Sequence, residues 1–204
     1  MRIHRIRSGM TNCWLIQWSG RTLLVDAGIA WDRRFLGHLQ RTVDPHMIEL
    51  LFLTHGHTDH IGHAAALQEY YGIPAALHPA DLALVMPPAP DIRAVRSGRK
   101  KEKHVPFSPA FLVPDGLPPS ATPIPCPGHT AGSCALLVED CLFAGDAVMS
   151  FLHPALLGYS ENPQAARDSL LRLARLDCSM IYPAHGRPFP MERLRYLADK
   201  IQRS

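Results

Sequence analysis

A hexapeptide in the first third of the chain holds three histidines and one aspartate, and it constrains the fold more than any other feature of the sequence. It reads His55-Gly56-His57-Thr58-Asp59-His60 and directly follows the apolar run 48–53. A short apolar run of this kind is typical of a buried strand, so the polar side chains begin where the strand ends. Clustering so many titratable groups beside a core is costly unless something holds them. The pattern therefore predicts a metal-binding turn.

The chemistry and number of the candidate ligands indicate more than one metal ion. Imidazole and carboxylate groups suit zinc, iron or manganese, and a single tetrahedral ion needs only four ligands. Three further candidates are isolated in the sequence, and each follows a strand-like run or a Pro-Gly turn: His129, Asp146 and His185. With the four ligand-type side chains of the hexapeptide, we expect a site for two divalent metal ions, with zinc as the first choice and iron or manganese as alternatives.

Strand and turn signals in the first half place the hexapeptide. The runs 14–18 and 21–25 are separated by Ser19-Gly20, which predicts a tight hairpin whose second strand ends at Asp26. The apolar run before the hexapeptide is a third strand. The other predicted elements of this half are helices over 32–41 and 61–71 and a strand over 73–77.

The second half repeats this arrangement. The runs 134–138 and 141–144 predict a strand pair that ends just before Asp146, and a short strand over 180–182 leads to His185. The predicted helices are one that begins at Asn162-Pro163 and one over 191–202. Because strands alternate with helices and ligand-type residues follow the strands in both halves, we expect an α+β fold with two sheets packed face to face and helices outside.

Length and composition limit the domain count and the partners. The 204 residues fit one domain over 1–204, and a formal charge of +3 is too small to favour nucleic acid as the main partner. The start of the chain lacks the apolar stretch of a secretion signal, and no run approaches the ~18 apolar residues of a membrane helix. We therefore expect a cytoplasmic protein that acts on a small molecule, without nucleic acid or membrane. The sequence does not determine its oligomeric state.

An irregular excursion interrupts the domain at about residues 87–119. It contains eight prolines and six Lys or Arg residues and has no clear period. Loops carried by a rigid scaffold commonly bind substrates, so we expect this excursion and the loop after Asp146 to form the substrate pocket. The candidate substrate-binding residues are Arg93, Arg96, His153 and Tyr159. A solvated loop surface is the alternative interpretation of the basic residues.

The ligand-bearing motifs together resemble those of the metallo-β-lactamase-fold superfamily. The matching segments are the hexapeptide, Pro127-Gly128-His129-Thr130, Gly145-Asp146 and Ala184-His185-Gly186. Their order and spacing match over nearly the whole chain. The resemblance implies an αββα four-layer sandwich, the metallo-β-lactamase fold, with the site at one edge between the sheets.

The resemblance also implies how the ligands divide between two metals. One ion would be held by His55, His57 and His129, and the other by Asp59, His60 and His185, with Asp146 bridging both. Asp26 matches the carboxylate that orients the histidine motif in this family, and an ordinary turn aspartate is the alternative.

Within the superfamily, the motifs are similar to those of glyoxalase II-like thioesterases. Diiron oxygen and nitric-oxide reductases of this fold carry Glu at the position of His57, so the chain resembles the hydrolytic branch. The implied reaction is attack of a metal-bridging hydroxide on a thioester or another ester-like bond. Asp59 would accept or shuttle the proton, and Asp146 is the second catalytic candidate.

Three other functions remain open from the sequence. Acyl-homoserine lactonases resemble the same site, so lactone hydrolysis is the nearest rival. Persulfide dioxygenases bind a single iron with residues that match His55, His129 and Asp146. A metal-bearing binding protein without enzymatic activity is the third alternative, and the presence of all seven ligands argues against it. Metal content and a substrate panel separate these cases.

Overall fold

In the computed structural model, which describes residues 1–86 and 105–203, each half of the chain builds its own sheet. The two units are Met1–Leu117 and Pro118–Ser204. Both combine strands with helices, as expected of an α+β chain. The assignment of residues 1–204 to a single domain stays a prediction.

The sheet of the first unit is mixed. Its strands within the described residues are β1 (Arg2–Ser8), β2 (Thr11–Trp18), β3 (Arg21–Val25), β4 (Leu50–Phe52), β5 (Ala75–Leu77) and β6 (Phe111–Leu112). They lie side by side in chain order. The first three are antiparallel, and the pairs from β3 to β6 are parallel. The carboxyl ends of β3 and β4 therefore meet at one edge, where Asp26 and the hexapeptide follow.

The predicted hairpin between β2 and β3 is confirmed. Trp18 pairs with Arg21 across a two-residue turn, and both turn residues have positive φ, 47° at Ser19 and 77° at Gly20. This geometry matches the right-handed twist of the flanking strands. Strand β1 was not predicted, because most of its side chains are polar and exposed on the edge of the sheet.

The first unit contains helices at both predicted positions, 32–41 and 61–71, and a further short helix that was not predicted. They are α1 (Phe35–Thr42), α2 (Thr58–Ile61), α3 (Ala64–Tyr71) and α4 (Leu82–Val85), with 3₁₀ turns at Pro45–Met47 and Pro79–Asp81. The helix predicted over 61–71 is divided between α2 and α3, near Gly62. A Cβ at Gly62 would lie 2.2 Å from the amide nitrogen of Ala30, so only glycine permits this approach. Helix α3 ends at Gly72, whose φ of 67° is a common helix terminator.

The second unit is built on a five-stranded sheet within the described residues. The strands of this unit are β7 (Ala121–Pro125), β8 (Cys134–Val138), β9 (Cys141–Gly145), β10 (Met149–Ser150), β11 (Pro154–Ala155), β12 (Met180–Pro183) and β13 (Phe189–Pro190). Strands β10 and β11 form a separate pair. The order of the larger sheet is β13-β12-β9-β8-β7. The predicted pair of β8 and β9 is confirmed, and β12 lies parallel to β9. Strand β7 was not predicted, because it carries two prolines, which strands tolerate at a sheet edge.

Two helices pack on this sheet, α5 (Pro163–Leu173) and α6 (Met191–Arg203). The predicted cap of α5 is present, since the side chain of Asn162 accepts a hydrogen bond of 3.0 Å from the amide of Ala165. Helix α6 buries Met191 and Leu194. These side chains join the apolar core of the second unit, and the first unit has a core of its own.

The excursion predicted at about 87–119 is only partly within the described residues. Strand β6 lies in its second part and pairs parallel with β5, so this part is less irregular than predicted. Two residues are too few to produce a recognisable period in the sequence. Arg93 and Arg96 lie outside the described residues. No helix in ranges 1–86 and 105–203 has the length and apolar character required to cross a membrane.

Candidate metal centre

The hexapeptide of the first unit presents its four ligand-type side chains in two close pairs. Nε2 of His55 lies 3.1 Å from Nδ1 of His57, and Nε2 of His60 lies 3.6 Å from Oδ2 of Asp59. Ligand atoms at about 2.0–2.2 Å from one ion are about 3 to 3.6 Å apart. Both pairs therefore have the spacing of neighbouring ligands on a divalent metal.

The position of these side chains follows from the local chain path. Strand β4 ends at Phe52, and α2 begins at Thr58, with His57 in the extended conformation just before it. The intervening turn carries His55 at its start, and α2 carries Asp59 and His60. A buried strand followed by a one-turn helix thus directs all four groups from a rigid base.

The ring of His60 contacts Asp26, the residue for which the family resemblance implies an orienting role. The Asp26 carboxylate is 1% exposed, and its Oδ2 lies 2.8 Å from Nδ1 of His60. A carboxylate only accepts hydrogen bonds, so Nδ1 of His60 carries the proton. Nε2 is then the atom with a lone pair for a metal, and it is the atom that faces Asp59.

Thr54 orients His55 through the same carboxylate, and the sequence analysis did not identify this residue. Its hydroxyl donates to Asp26 at 3.0 Å and lies 3.1 Å from Nδ1 of His55. Because the one hydroxyl proton is directed to the carboxylate, the oxygen accepts from Nδ1–H of His55. His55 and His60 are therefore held in the same tautomer, with Nε2 available for a ligand bond.

The backbone at Asp26 adopts an uncommon conformation. Its φ is 63°, in the left-handed region that non-glycine residues rarely occupy. The Thr54 amide also donates to Oδ1 of Asp26 at 2.9 Å, which holds the carboxylate in place. Backbone strain of this kind persists where the surrounding structure determines it, and it is concentrated at functional sites. A plain turn aspartate would not need these contacts, so they favour the orienting role.

Two more residues hold the hexapeptide from outside, and the sequence analysis identified neither. Asp81 is 1% exposed, and its Oδ2 accepts a hydrogen bond of 2.9 Å from the amide of Gly56. The hydroxyl of Thr11, at the start of β2, donates to Oδ2 of Asp59 at 3.0 Å. These contacts join segments that are 25 and 48 residues apart in sequence.

Cys13 lies near this site, but it does not belong to the groups of ligand atoms that cluster within the described residues. Burial raises the pKa of its thiol well above the ordinary value, and the negative charges of Asp26 and Asp59 raise it further. The thiolate is the form that binds metals. Cys13 is therefore a neutral, buried side chain.

The second unit brings its three predicted ligands together around one carboxylate. Oδ2 of Asp146 lies 3.4 Å from Nε2 of His129, and Oδ1 lies 3.4 Å from Nε2 of His185. Each oxygen therefore faces a different histidine at ligand-to-ligand spacing. A carboxylate in this position can contribute one oxygen to each of two ions.

His129 is also held in a defined tautomer. Its Nδ1 lies 3.0 Å from the carbonyl oxygen of Tyr159, so this nitrogen carries the proton and Nε2 is presented to Asp146. Gly128, which precedes it, has a φ of 142°, and a Cβ there would lie 2.3 Å from the amide nitrogen of Ala166. The Pro-Gly-His motif is thus explained by the close packing of this turn on α5.

Gly186 has the same role beside His185 that Gly128 has beside His129. Its φ is 105°, and a Cβ there would lie 2.0 Å from the carbonyl oxygen of Ser150. The amide of Ser150 donates to the carbonyl oxygen of His185 at 2.8 Å. This pairing holds the histidine against β10 and requires glycine at the next position.

The two predicted substrate residues of this unit lie in different surroundings. The ring of Tyr159 is edge-on to His129, with centroids 6.2 Å apart. His153 is exposed, and its Nδ1 lies 3.4 Å from Nη2 of Arg193 on α6. The substrate-binding role of both residues stays a prediction. Phe151, which the sequence analysis did not single out, stacks on His185 with centroids 6.4 Å apart and is half exposed.

These donor sets define a candidate metal-binding protein, and comparison with known proteins identifies its family. The family model described as the metallo-beta-lactamase superfamily matches residues 6–185. The chain belongs to this superfamily, and the predicted fold is confirmed.

Individual relatives agree with this assignment. The chain is 32% identical to a hydroxyacylglutathione hydrolase of Shewanella loihica, over 84% of this chain and 60% of the relative. It is 27% identical to thioesterase pkgB of Emericella nidulans, over 95% of this chain and 52% of the relative. The chain thus spans between half and two thirds of the length of these two proteins.

A solved structure supports the fold. The crystal structure of TTHA1623 in a di-iron-bound form superimposes with a TM-score of 0.73 at 24% identity, over 94% of this chain and 96% of that chain. At this identity the likeness concerns the fold alone.

Proposed function

We propose that the protein is a metal-dependent hydrolase that cleaves a thioester or another ester-like bond. The observation that carries the proposal is the arrangement of Asp146, whose two oxygens face two different histidines at ligand spacing. This chain belongs to the metallo-beta-lactamase superfamily and carries four more donors in the hexapeptide. The arrangement therefore favours two metal ions over one.

The seven donors divide naturally between two ions. We assign His55, His57 and His129 to one ion, Asp59, His60 and His185 to the other, and Asp146 to both. Imidazole and carboxylate donors suit zinc, which is our first choice, and iron or manganese are alternatives. A structure of the same fold is known in a di-iron-bound form, so the fold itself can hold two ions.

Both the bound ions and the residues of the chain contribute to hydrolysis. When bound, two divalent ions supply Lewis acidity and lower the pKa of water toward neutrality. Asp59 accepts the proton that the attacking water loses, because its carboxylate is about one third exposed and Thr11 fixes its orientation. Asp26 and Thr54 keep His55 and His60 in the required tautomers throughout.

The substrate class follows from the relatives rather than from the donors. One relative is named a hydroxyacylglutathione hydrolase and another a thioesterase, so a thioester is the first substrate to test. Hydrolysis adds hydroxide to the acyl carbon while the carbon–sulfur bond breaks, and the thiolate leaves and gains a proton. We also propose that the protein acts in the cytoplasm on a small molecule, without nucleic acid or membrane, in line with its small net charge.

Metal analysis combined with a substrate panel tests this proposal. We expect close to two transition-metal ions per chain, hydrolysis of thioesters, and a rate that rises through an apparent pKa near neutrality. Asp146→Ala should remove at least one ion and abolish turnover. The matched control is Asp168→Asn, on an exposed aspartate of α5 that pairs with Gln164.

The other outcomes each select a different function. At most one ion under metal-replete conditions would defeat the binuclear assignment and favour a mononuclear iron dioxygenase. Faster hydrolysis of acyl-homoserine lactones than of thioesters would favour the lactonase. Full metal loading without turnover of thioesters, lactones or phosphodiesters would favour a non-enzymatic binding protein.

A further inference from the structure

A basic cleft lies on the first unit, and none of the candidate metal ligands lines it. Its volume is about 760 Å³. Its lining includes Trp31 and four arginines, Arg7, Arg33, Arg34 and Arg41. Four arginines around one cleft of this size produce a strongly positive local potential.

The described part of the chain neutralises only a small part of the positive charge of this cleft. Asp32 is the one carboxylate among its lining residues, and it accepts hydrogen bonds from the amides of Gly9 at 3.2 Å and Arg34 at 3.1 Å. Within the described residues, no ion pair joins the four arginine side chains to a carboxylate. A cleft with this excess of guanidinium groups suits a ligand with more than one negative charge.

An exposed aromatic ring completes the cleft. Trp31 is 62% exposed, whereas Trp14 and Trp18 are 3% and 4% exposed. A Cβ at Gly9 would lie 3.6 Å from Cη2 of Trp31, so the indole rests on the turn between β1 and β2. A tryptophan that packs on a turn and remains so exposed can stack on a planar ring of a ligand.

The same turn connects the cleft with the candidate metal ligands of this unit. Gly9 lines the cleft, and Thr11, two residues later, donates to Asp59. The Cα atoms of residues two positions apart are separated by at most about 7 Å. A ligand bound at Asp59 can therefore extend across this turn and place a remote anionic group in the cleft.

We propose that this cleft binds the phosphorylated, ring-bearing part of the substrate's leaving group, as in a thiol joined to a nucleotide. The arginines pair with the phosphate groups, for which the planar guanidinium is well suited, and Trp31 stacks on the ring. A ligand with a single carboxylate would leave the positive charge of most of these arginines without a partner. This inference rests on the proposed thioester hydrolysis for its kinetic test but not for its binding test.

Binding is measured on the full-length, metal-loaded protein with adenosine 3′,5′-bisphosphate, which has the phosphates and the ring but no thioester. We expect saturable quenching of tryptophan fluorescence, because Trp31 is the exposed indole among the three. Adenosine alone and inorganic phosphate alone should each bind at least tenfold more weakly. For the wild type, calorimetry should give the same dissociation constant as the fluorescence titration. For Trp31→Leu it should give a larger dissociation constant.

Matched double variants separate the cleft from general surface charge. Arg7→Gln with Arg33→Gln removes two exposed cleft arginines, and Arg2→Gln with Arg5→Gln removes two exposed arginines of β1 that do not line the cleft. We expect at least a tenfold loss of bisphosphate affinity in the first and less than a twofold change in the second. The absence of saturable binding, or an equal loss in both variants at unchanged Tm, would overturn the proposal.

A pair of substrates with the same reacting bond gives the kinetic test. Acetyl-coenzyme A carries the phosphorylated nucleotide, and S-acetyl-N-acetylcysteamine has the same thioester without it. The cleft variant should lower kcat/KM at least tenfold for the first substrate and leave the second unchanged. Equal effects on both substrates would overturn the proposal. If neither were hydrolysed, these two thioesters would be excluded as substrates of the proposed hydrolase, while the binding test would still decide whether the cleft holds the bisphosphate.

Discussion

The carboxylate of Asp26 lies 2.8 Å from Nδ1 of His60, although the two residues are 34 positions apart in the chain. In Asp26→Asn the amide can present an N–H to this nitrogen, which would move the histidine proton to Nε2 and remove the metal-binding lone pair. We expect the affinity for the ion assigned to His60 to fall about 10- to 100-fold, the usual effect of losing such a partner. Competition with a chromogenic chelator measures this change.

Asp44→Asn is the control for that experiment. Asp44 is exposed and accepts a hydrogen bond from the amide of His46 at a 3₁₀ turn of the same unit. Its metal affinity should equal that of the wild type. If the metal affinity of Asp26→Asn were unchanged, Asp26 would be an ordinary turn residue without an orienting role.

Asp81 should position the hexapeptide through its hydrogen bond to Gly56. Asp81→Ala leaves a buried amide without this acceptor, which costs about 1–3 kcal/mol of unfolding free energy. Asp81→Asn retains a carbonyl oxygen and should recover most of the loss. We expect metal affinity to follow the same order, and chelator competition on both variants tests it. Loss of stability with wild-type metal affinity would limit Asp81 to a structural role.

Gly186 should tolerate no side chain. In Gly186→Ala the new Cβ meets the carbonyl oxygen of Ser150 at a positive φ, so we expect the unfolding free energy to fall by about 3 kcal/mol or more. Gly158→Ala is the matched control, because no atom lies within 4 Å of its Cβ position. Urea unfolding of the metal-free proteins compares the two. Equal stabilities would mean that the turn beside His185 shifts easily.

His63 should make stability depend on pH. Burial lowers its pKa, although the hydrogen bond to the carbonyl oxygen of Ala27 acts in the opposite direction. Since the folded pKa lies below the unfolded value of about 6.5, the unfolded chain binds more protons between the two. This contribution is complete above pH 6.5 and is lost as the pH falls through the folded pKa, with a slope of at most about 1.4 kcal/mol per pH unit.

Comparison with His63→Gln isolates the contribution of His63 to the pH dependence of the unfolding free energy. Glutamine keeps an N–H donor for Ala27 but does not titrate. Between pH 7.5 and 5.5, the unfolding free energy of the metal-free wild type should therefore decrease more than that of the variant. Parallel curves would exclude His63 as a source of the pH dependence.

The cysteines should be unreactive in the folded protein. Burial raises the pKa of Cys126 to about 12 and those of Cys141 and Cys178 to about 11. The pKa values of Cys13 and Cys134 are raised as well. Because the thiolate is the reactive form, Ellman's reagent at pH 8 should titrate less than one thiol per native chain and all five after unfolding. Rapid reaction of one thiol in the native protein would contradict this prediction.

Local features of the chain were predictable from the sequence because neighbouring residues determine them. The turn at Ser19-Gly20 and the cap at Asn162 depend on residues within a few positions, and the structure confirms both. The donor types of the hexapeptide are likewise written in consecutive residues. Strands β1 and β7 were missed because exposed polar side chains and prolines obscure the alternation that marks a strand.

The partners that orient the donors were decided only by the tertiary structure. Thr54 and Asp26 are 28 residues apart, and Asp81 reaches Gly56 across 25 residues. Nothing in the local sequence distinguishes such a buried acceptor from an ordinary turn aspartate. The basic cleft is another example, since Arg7 approaches Trp31 and Arg41 only after β1 pairs with β2 and the chain returns through α1. Sequence determines which chemical groups are available, and long-range packing determines which of them meet, because desolvated hydrogen bonds form only between groups that folding brings together.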